Sequence, residues 1–188
     1  MTGPQAGGDG PETAKTGPDS DSELAGRLEQ LHRMLTEQEQ TVAVAESVTG
    51  GLLSAALTST AGASATFRGG LVVYATDLKA RLAGVPESLL AEQGPVAAQV
   101  ALELARGART RLSASWGVGV TGVAGPDPQD GKAVGTVFLS VVGPGPDVGI
   151  ESVSELNLSG DRNMIRVQIV EQAVALLAGA VSHLTGAL

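Results

Sequence analysis

Thr41 to Gly51, T-V-A-V-A-E-S-V-T-G-G, constrains the chain more than any other stretch. Its run of Val and Ala reads as a short buried strand. Glu46-Ser47, then Thr49-Gly50-Gly51, then Leu52, Leu53, Ala55, Ala56 and Leu57 read as a sharp turn into a helix. Ser47 therefore sits at a strand-to-helix corner. There the unpaired N–H groups of the first helical turn converge, and paired glycines let a ligand or another backbone come close. A hydroxyl in that place is positioned to attack a carbonyl while N–H groups around Ser47 to Gly51 hold the oxyanion. The plainer alternative is that Ser47 or Thr49 only caps the helix.

A corner of this kind needs a sheet buried by helices, and the composition suits one. The 188 residues suffice for one domain with a sizeable core, rich in Ala, Val and Leu with one Trp, one Tyr and two Phe. Twelve basic against 20 acidic residues, a formal charge of -8, argue against a phosphate-backbone partner, so nucleic acid is not expected. Without cysteine, and with only His32 and His183, neither a disulfide framework nor a thiolate or multi-histidine metal site is expected. No basic leader precedes an apolar run and no long uninterrupted apolar stretch occurs, so the simplest reading is a soluble cytoplasmic protein without a membrane partner.

Residues 1–22 are rich in Gly, Pro, Thr, Ser and Asp and read as a disordered tail. From Ser22 or Glu23, Leu24, Leu28, Leu31, Met34 and Leu35 recur at helical spacing, with His32 off that stripe and read as solvated. Leu71-Val72-Val73-Tyr74 is apolar throughout and reads as a strand central in the sheet. Short helices follow from Thr76 and from Val85-Pro86, and Val96 to Arg111 forms a longer amphipathic one whose arginines read as its solvated face. Trp116 to Val120 is a further strand that runs into the glycine loop Thr121-Gly122-Val123-Ala124-Gly125-Pro126. Two such loops at neighbouring strand ends face one crevice. Asp127 to Lys132 reads as a mobile polar loop, and Gly135 to Val142 with Val148 to Leu158 as an antiparallel pair. Asp161 is an N-cap candidate for the last helix, and Arg162 lies in its first turn, where a cation is disfavoured unless it meets an anion.

Lysine is scarce: Lys15, Lys79 and Lys132. Lys79 follows the only tyrosine, Tyr74, by five residues. Partial burial lowers a lysine's pKa until it serves as a base, so Ser47, Tyr74 and Lys79 suit a Ser-Lys amidase site with Tyr74 relaying or orienting the proton. The alternative is an ordinary strand-end Tyr and an exposed helical Lys. After the first strand, A-E-S-V-T-G-G does not supply the G-x-G-x-x-G that a dinucleotide enzyme needs there, and neither G-x-x-x-x-G-K-[ST] nor G-x-S-x-G occurs, which argues against dinucleotide, P-loop and α/β-hydrolase chemistry.

The ordered set A-E-S-V-T-G-G (45–51), F-R-G-G-L-V-V-Y-A-T-D-L-K (67–79), G-V-P (84–86), T-G-V-A-G-P (121–126), K-A-V-G-T-V (132–137) and G-D-R (160–162) closely resembles the CinA C-terminal domain family over about residues 23–186. The resemblance implies a nicotinamide-nucleotide amidohydrolase that converts nicotinamide mononucleotide (NMN) to nicotinate mononucleotide and ammonia with no metal or other cofactor. It implies Ser47 as nucleophile, Tyr74 and Lys79 as its partners, and Thr121 and Arg162 about the substrate, to which the two glycine loops add Thr49, Gly50, Gly51 and Gly122 as substrate-site candidates. Arg162 suits the phosphate, because guanidinium binds phosphate bidentately and a helix N-terminus adds donors. Supported by the strand and helix alternation, the resemblance also implies one three-layer α/β/α domain, residues 23–188, around a mixed, mostly parallel sheet of about five or six strands. A homodimer rests on the resemblance alone.

The chain departs from the family pattern in three places: Val48 stands for the usual Cys, Ala75-Thr76-Asp77 for S-N-E, and Ala133 for the Pro of K-P-V-G-T-V. The change beside Lys79 bears on rate or substrate preference more than on fold, and keeps open a nucleotide-binding or partner-binding member without turnover. With only a short tail ahead of the domain, the chain reads as the stand-alone form rather than one preceded by a molybdopterin-binding-like domain.

Overall fold

The computed structural model describes residues 18–144 and 149–186. Five strands, β1 (Val42–Glu46), β2 (Phe67–Val72), β3 (Trp116–Gly122), β4 (Thr136–Gly143) and β5 (Ile150–Asn157), form one mixed sheet in the order β2-β1-β3-β4-β5. β2, β1 and β3 run parallel, whereas β4 and β5 join antiparallel. Helices α1 (Pro18–Glu37), α2 (Leu52–Thr58) and α6 (Arg162–Gly186) cover one face, and α3 (Thr76–Ala83), α4 (Glu87–Gln93) and α5 (Ala98–Arg111) the other. The three layers follow from alternation in β1. Val42 and Val44 enter the core under α1, α2 and α6, while Ala43 and Ala45 enter the core under α3 to α5.

The second face is built for close approach. A Cβ on Gly117 or Gly119 of β3 would strike the backbone carbonyls of Ala105 or Ala101, so α5 lies against glycine and alanine rather than branched residues. Arg106 then reaches from α5 to the β5 edge and donates to both carboxylate oxygens of Glu151, at 2.8 and 2.7 Å.

The apolar run 71–74 is not a central strand. β2 is an edge strand, begins at Phe67 and pairs only with β1. Burial alternates along it, Val72 is 45% exposed, and only Val73, just past the strand, is fully buried. An apolar run that straddles a strand end reads the same as a central strand. The helix of the N-terminal segment starts at Pro18, ahead of Ser22, and residues 1–17 of the expected tail lie outside the described residues.

His32 is not solvated. It is buried, with Nε2 2.9 Å from the Leu57 carbonyl and Nδ1 2.5 Å from the Thr66 hydroxyl. A carbonyl only accepts, so Nε2 carries the proton and Nδ1 accepts from Thr66. Burial holds its pKa below the usual histidine value, against the opposing effect of the Leu57 bond. The residue ties α1 to the end of α2. The apolar stripe of Leu28, Leu31 and Leu35 gave no sign of it, because those leucines bury only one flank of the helix.

The segment expected to be a mobile loop is closed by paired backbone bonds, Gln129 N–H to Lys132 O at 3.1 Å and Lys132 N–H to Gln129 O at 2.8 Å. Asp161 caps α6 through its Oδ1, which accepts from Met164 N–H at 2.8 Å. α6 is long and apolar enough to cross a membrane by composition, yet Ile165, Ile169, Ala173, Leu177 and Val181 are buried in the core beneath it.

Candidate active site

The corner after β1 is built by a carboxylate. Gly50 and Gly51 take left-handed conformations (φ 58° and 99°), Gly51 is the N-cap of α2, and no side chain of Ser47 or Thr49 caps the helix. Instead the wholly buried Glu46 reaches over the N-terminus of α2. Oε2 accepts from Gly51 and Leu53 N–H, both at 3.0 Å, and Oε1 from Ser54 N–H at 2.8 Å and Ser54 Oγ at 2.5 Å. A negative side chain on the orphan donors of a helix start is favoured by both the hydrogen bonds and the dipole. The reading of Ser47 as a cap therefore fails. The N–H groups of Gly51, Leu53 and Ser54 are likewise unavailable to an oxyanion, while those of Val48 and Thr49 donate to nothing among the described residues.

Sequence reasoning passed over Glu46. The signal was there: a lone carboxylate at the end of a small, apolar, buried strand needs donors, and the following helix start supplies them. Glu46→Ala is expected to lower the unfolding free energy by roughly 3 kcal/mol, because several buried donors lose their acceptor at once. A urea unfolding curve measures this, and a loss under about 1 kcal/mol would mean that water reaches those groups.

Ser47 projects from this corner, with its N–H on Val120 O at 3.0 Å. Its side chain lines a cavity of about 150 Å³ together with Tyr74, Thr76, Lys79, Thr121, Gly122, Asp127, Gln129 and Arg162. The two glycine-containing loops after β1 and β3 thus face one crevice. Lys79, far from an exposed helical lysine, is 2% exposed, and its Nζ donates to Val73 O at 3.0 Å and Tyr74 O at 3.3 Å. Burial lowers its pKa to about 8. A neutral amine with both N–H groups on those carbonyls keeps a lone pair for the cavity.

Tyr74 is 59% exposed, and its hydroxyl accepts from Arg162 Nη2 at 2.9 Å, while Arg162 Nη1 donates to Gly125 O at 2.7 Å. Thr121 Oγ1 donates to Pro95 O at 2.7 Å, which ties the β3 loop to the start of α5. Gly122 lines the cavity, but its bare Cα is required by β4, since a Cβ would crowd Thr136 O and Val137. Thr49, Gly50 and Gly51 do not line it. Thr49 is wholly buried, and its carbonyl accepts from Arg166 Nη2 at 2.6 Å. Asp127 and Gln129 reach the cavity without having been singled out from the sequence, and so does Thr76, noted there only as part of a departure from the family pattern. Among the described residues, no three His, Cys, Asp or Glu side chains gather as a metal site.

A sequence model of the CinA C-terminal domain matches residues 25–181. The chain belongs to the CinA C-terminal domain family. Among its CinA relatives, a CinA-like protein of Frankia casuarinae is 47% identical over 144 residues, and a putative competence-damage inducible protein of a Geobacillus species is 41% identical over 145. Each match takes in 77% of this chain but only 32% and 34% of those longer CinA proteins. The crystal structure of the competence/damage inducible protein CihA from Agrobacterium tumefaciens superposes with a TM-score of 0.79 at 34% identity, over 84% of this chain and 95% of that one. The five-stranded CinA fold is thereby established. Of this chain's departures from the CinA pattern, Val48 and Thr76 line the cavity.

Proposed function

We propose that the cavity hydrolyses the carboxamide of NMN to nicotinate mononucleotide and ammonia through an acyl-enzyme on Ser47. The observation that carries this reading is the burial of Lys79 against the cavity that Ser47 and Tyr74 line. Neutral Lys79 takes the proton of Ser47 Oγ as the oxygen attacks the amide carbon. The N–H group of Val48, which lines the cavity, is the remaining donor at this corner for the oxyanion. Because Arg162 donates to the Tyr74 oxygen, the phenol keeps its own O–H for the departing nitrogen, to which it relays the proton held by Lys79. Water then attacks the Ser47 ester, Lys79 again acting as base, and nicotinate mononucleotide leaves.

A cavity of about 150 Å³ takes a single carboxamide-bearing ring, with the ribose and phosphate toward the exposed Arg162. The test is ammonia release from NMN by the purified protein with a chelator present; none from folded protein overturns the reading. Arg162→Ala is expected to raise KM for NMN roughly tenfold or more, because a charge-assisted bidentate contact to phosphate is lost. An unchanged KM would remove Arg162 from the phosphate.

A second reading, a member that binds a nucleotide without turnover, is favoured by Thr76, a departure from the family pattern inside the cavity. The same ammonia assay decides between them. A homodimer, carried over from the family resemblance, and the cytoplasmic location expected from the sequence complete the proposal.

A further inference from the structure

Two opposite charges face the cavity without neutralising each other. Arg162 spends its guanidinium on neutral partners, the Gly125 carbonyl and the Tyr74 hydroxyl. Asp127, two residues beyond Gly125, is exposed at the cavity wall and takes part in none of the four ion pairs among the described residues, nor in any hydrogen bond there. The other cations nearby are committed elsewhere. Lys79 Nζ is held by two carbonyls, and Lys132 Nζ sits 5.8 Å from the centre of the Phe138 ring. The loop is not free to swing away, since Arg162 anchors Gly125 and the Gln129–Lys132 pair closes the turn.

A carboxylate in this place works against a ligand that is only anionic, because it repels the phosphate that Arg162 attracts. It helps a ligand that is negative at one end and positive at the other. We infer that the cavity selects a zwitterionic mononucleotide, its phosphate on Arg162 and a permanently cationic pyridinium ring against Asp127, and so discriminates the oxidised pyridinium nucleotide from its neutral dihydropyridine form. The inference rests on the pyridine-nucleotide reading above and adds to it the charge state of the ring. Asp127 is then a specificity residue with no part in bond making.

The test compares equilibrium binding of NMN and of reduced NMN, which keeps the phosphate, ribose and carboxamide but lacks the ring charge. Ser47→Ala protein is used so that the ligand is not consumed, with and without Asp127→Asn. The expected result is tighter binding of NMN than of reduced NMN. Asp127→Asn should weaken NMN roughly three- to tenfold and leave the reduced ligand nearly unchanged, and the difference should shrink at high salt. Asp127→Glu should keep the preference. An equal effect of Asp127→Asn on both ligands, no preference before the change, or no binding of either ligand would overturn the inference. Ammonia release by the unaltered protein is measured alongside. A binding preference without turnover sinks the hydrolysis and keeps the ligand assignment, whereas turnover without the preference sinks the assignment alone.

Discussion

Ser47→Ala is expected to abolish ammonia release from NMN, by about 10⁴-fold or more, while moving the unfolding free energy by less than about 0.5 kcal/mol. The structure makes this pairing informative. The Ser47 hydroxyl makes no hydrogen bond among the described residues. The contacts that hold the corner use its backbone: N–H on Val120 O, and C=O accepting from Gly50 N–H at 3.1 Å. Alanine keeps both. Had Ser47 been the cap of α2, the same change would cost about 1 kcal/mol of stability and leave chemistry elsewhere untouched. Glu46 carries that capping role, so stability loss belongs to Glu46→Ala and activity loss to Ser47→Ala. Parallel urea curves and ammonia assays on the two variants separate the corner's construction from its chemistry. Substantial turnover by Ser47→Ala would require another nucleophile in the cavity.

Legibility in the sequence followed the physics of each element. The β1 corner, the β3 loop and the β4–β5 pair were readable because buried strands, glycines and turns leave local signatures, and the ordered motifs tied them to one family. Neighbour relations were less readable. The run 71–74 is apolar on either side of the β2 terminus, and nothing local says that one side of that strand lacks a partner. His32 needed a carbonyl and a hydroxyl from residues 25 and 34 positions away, so its burial had no local trace. Within the site, Ser47, Tyr74, Lys79, Thr121, Gly122 and Arg162 all reach the cavity. Thr49 to Gly51 shape the corner behind it. Their glycines serve the left-handed turn into α2, a backbone demand that a ligand-binding glycine pair mimics in sequence. Asp127 and Gln129 were hidden by the ordinary look of a polar loop.

Lys79→Arg is expected to lower kcat by roughly 10²- to 10⁴-fold and to erase the pH dependence of the reaction. Burial brings the lysine from its ordinary 10.5 to about 8, so its proton-accepting form is scarce at pH 7 and dominant above pH 9. Activity of the unaltered protein should therefore rise with pH, with a midpoint near 8, and level off above it. Arginine stays protonated throughout that range and keeps the charge without the base. Stability should follow the same group. Between pH 8 and 10.5 the unfolded chain still holds the lysine proton that the folded chain has released, so the unfolded state binds more protons and stability increases with pH over that interval. Lys79→Met removes the titrating group and should remove both trends together. Rate profiles and urea midpoints taken over the same pH series therefore interrogate one nitrogen by two routes. If the rate still rose near pH 8 in Lys79→Arg, the base would lie elsewhere. If the stability trend persisted in Lys79→Met, some other buried group would have to account for it.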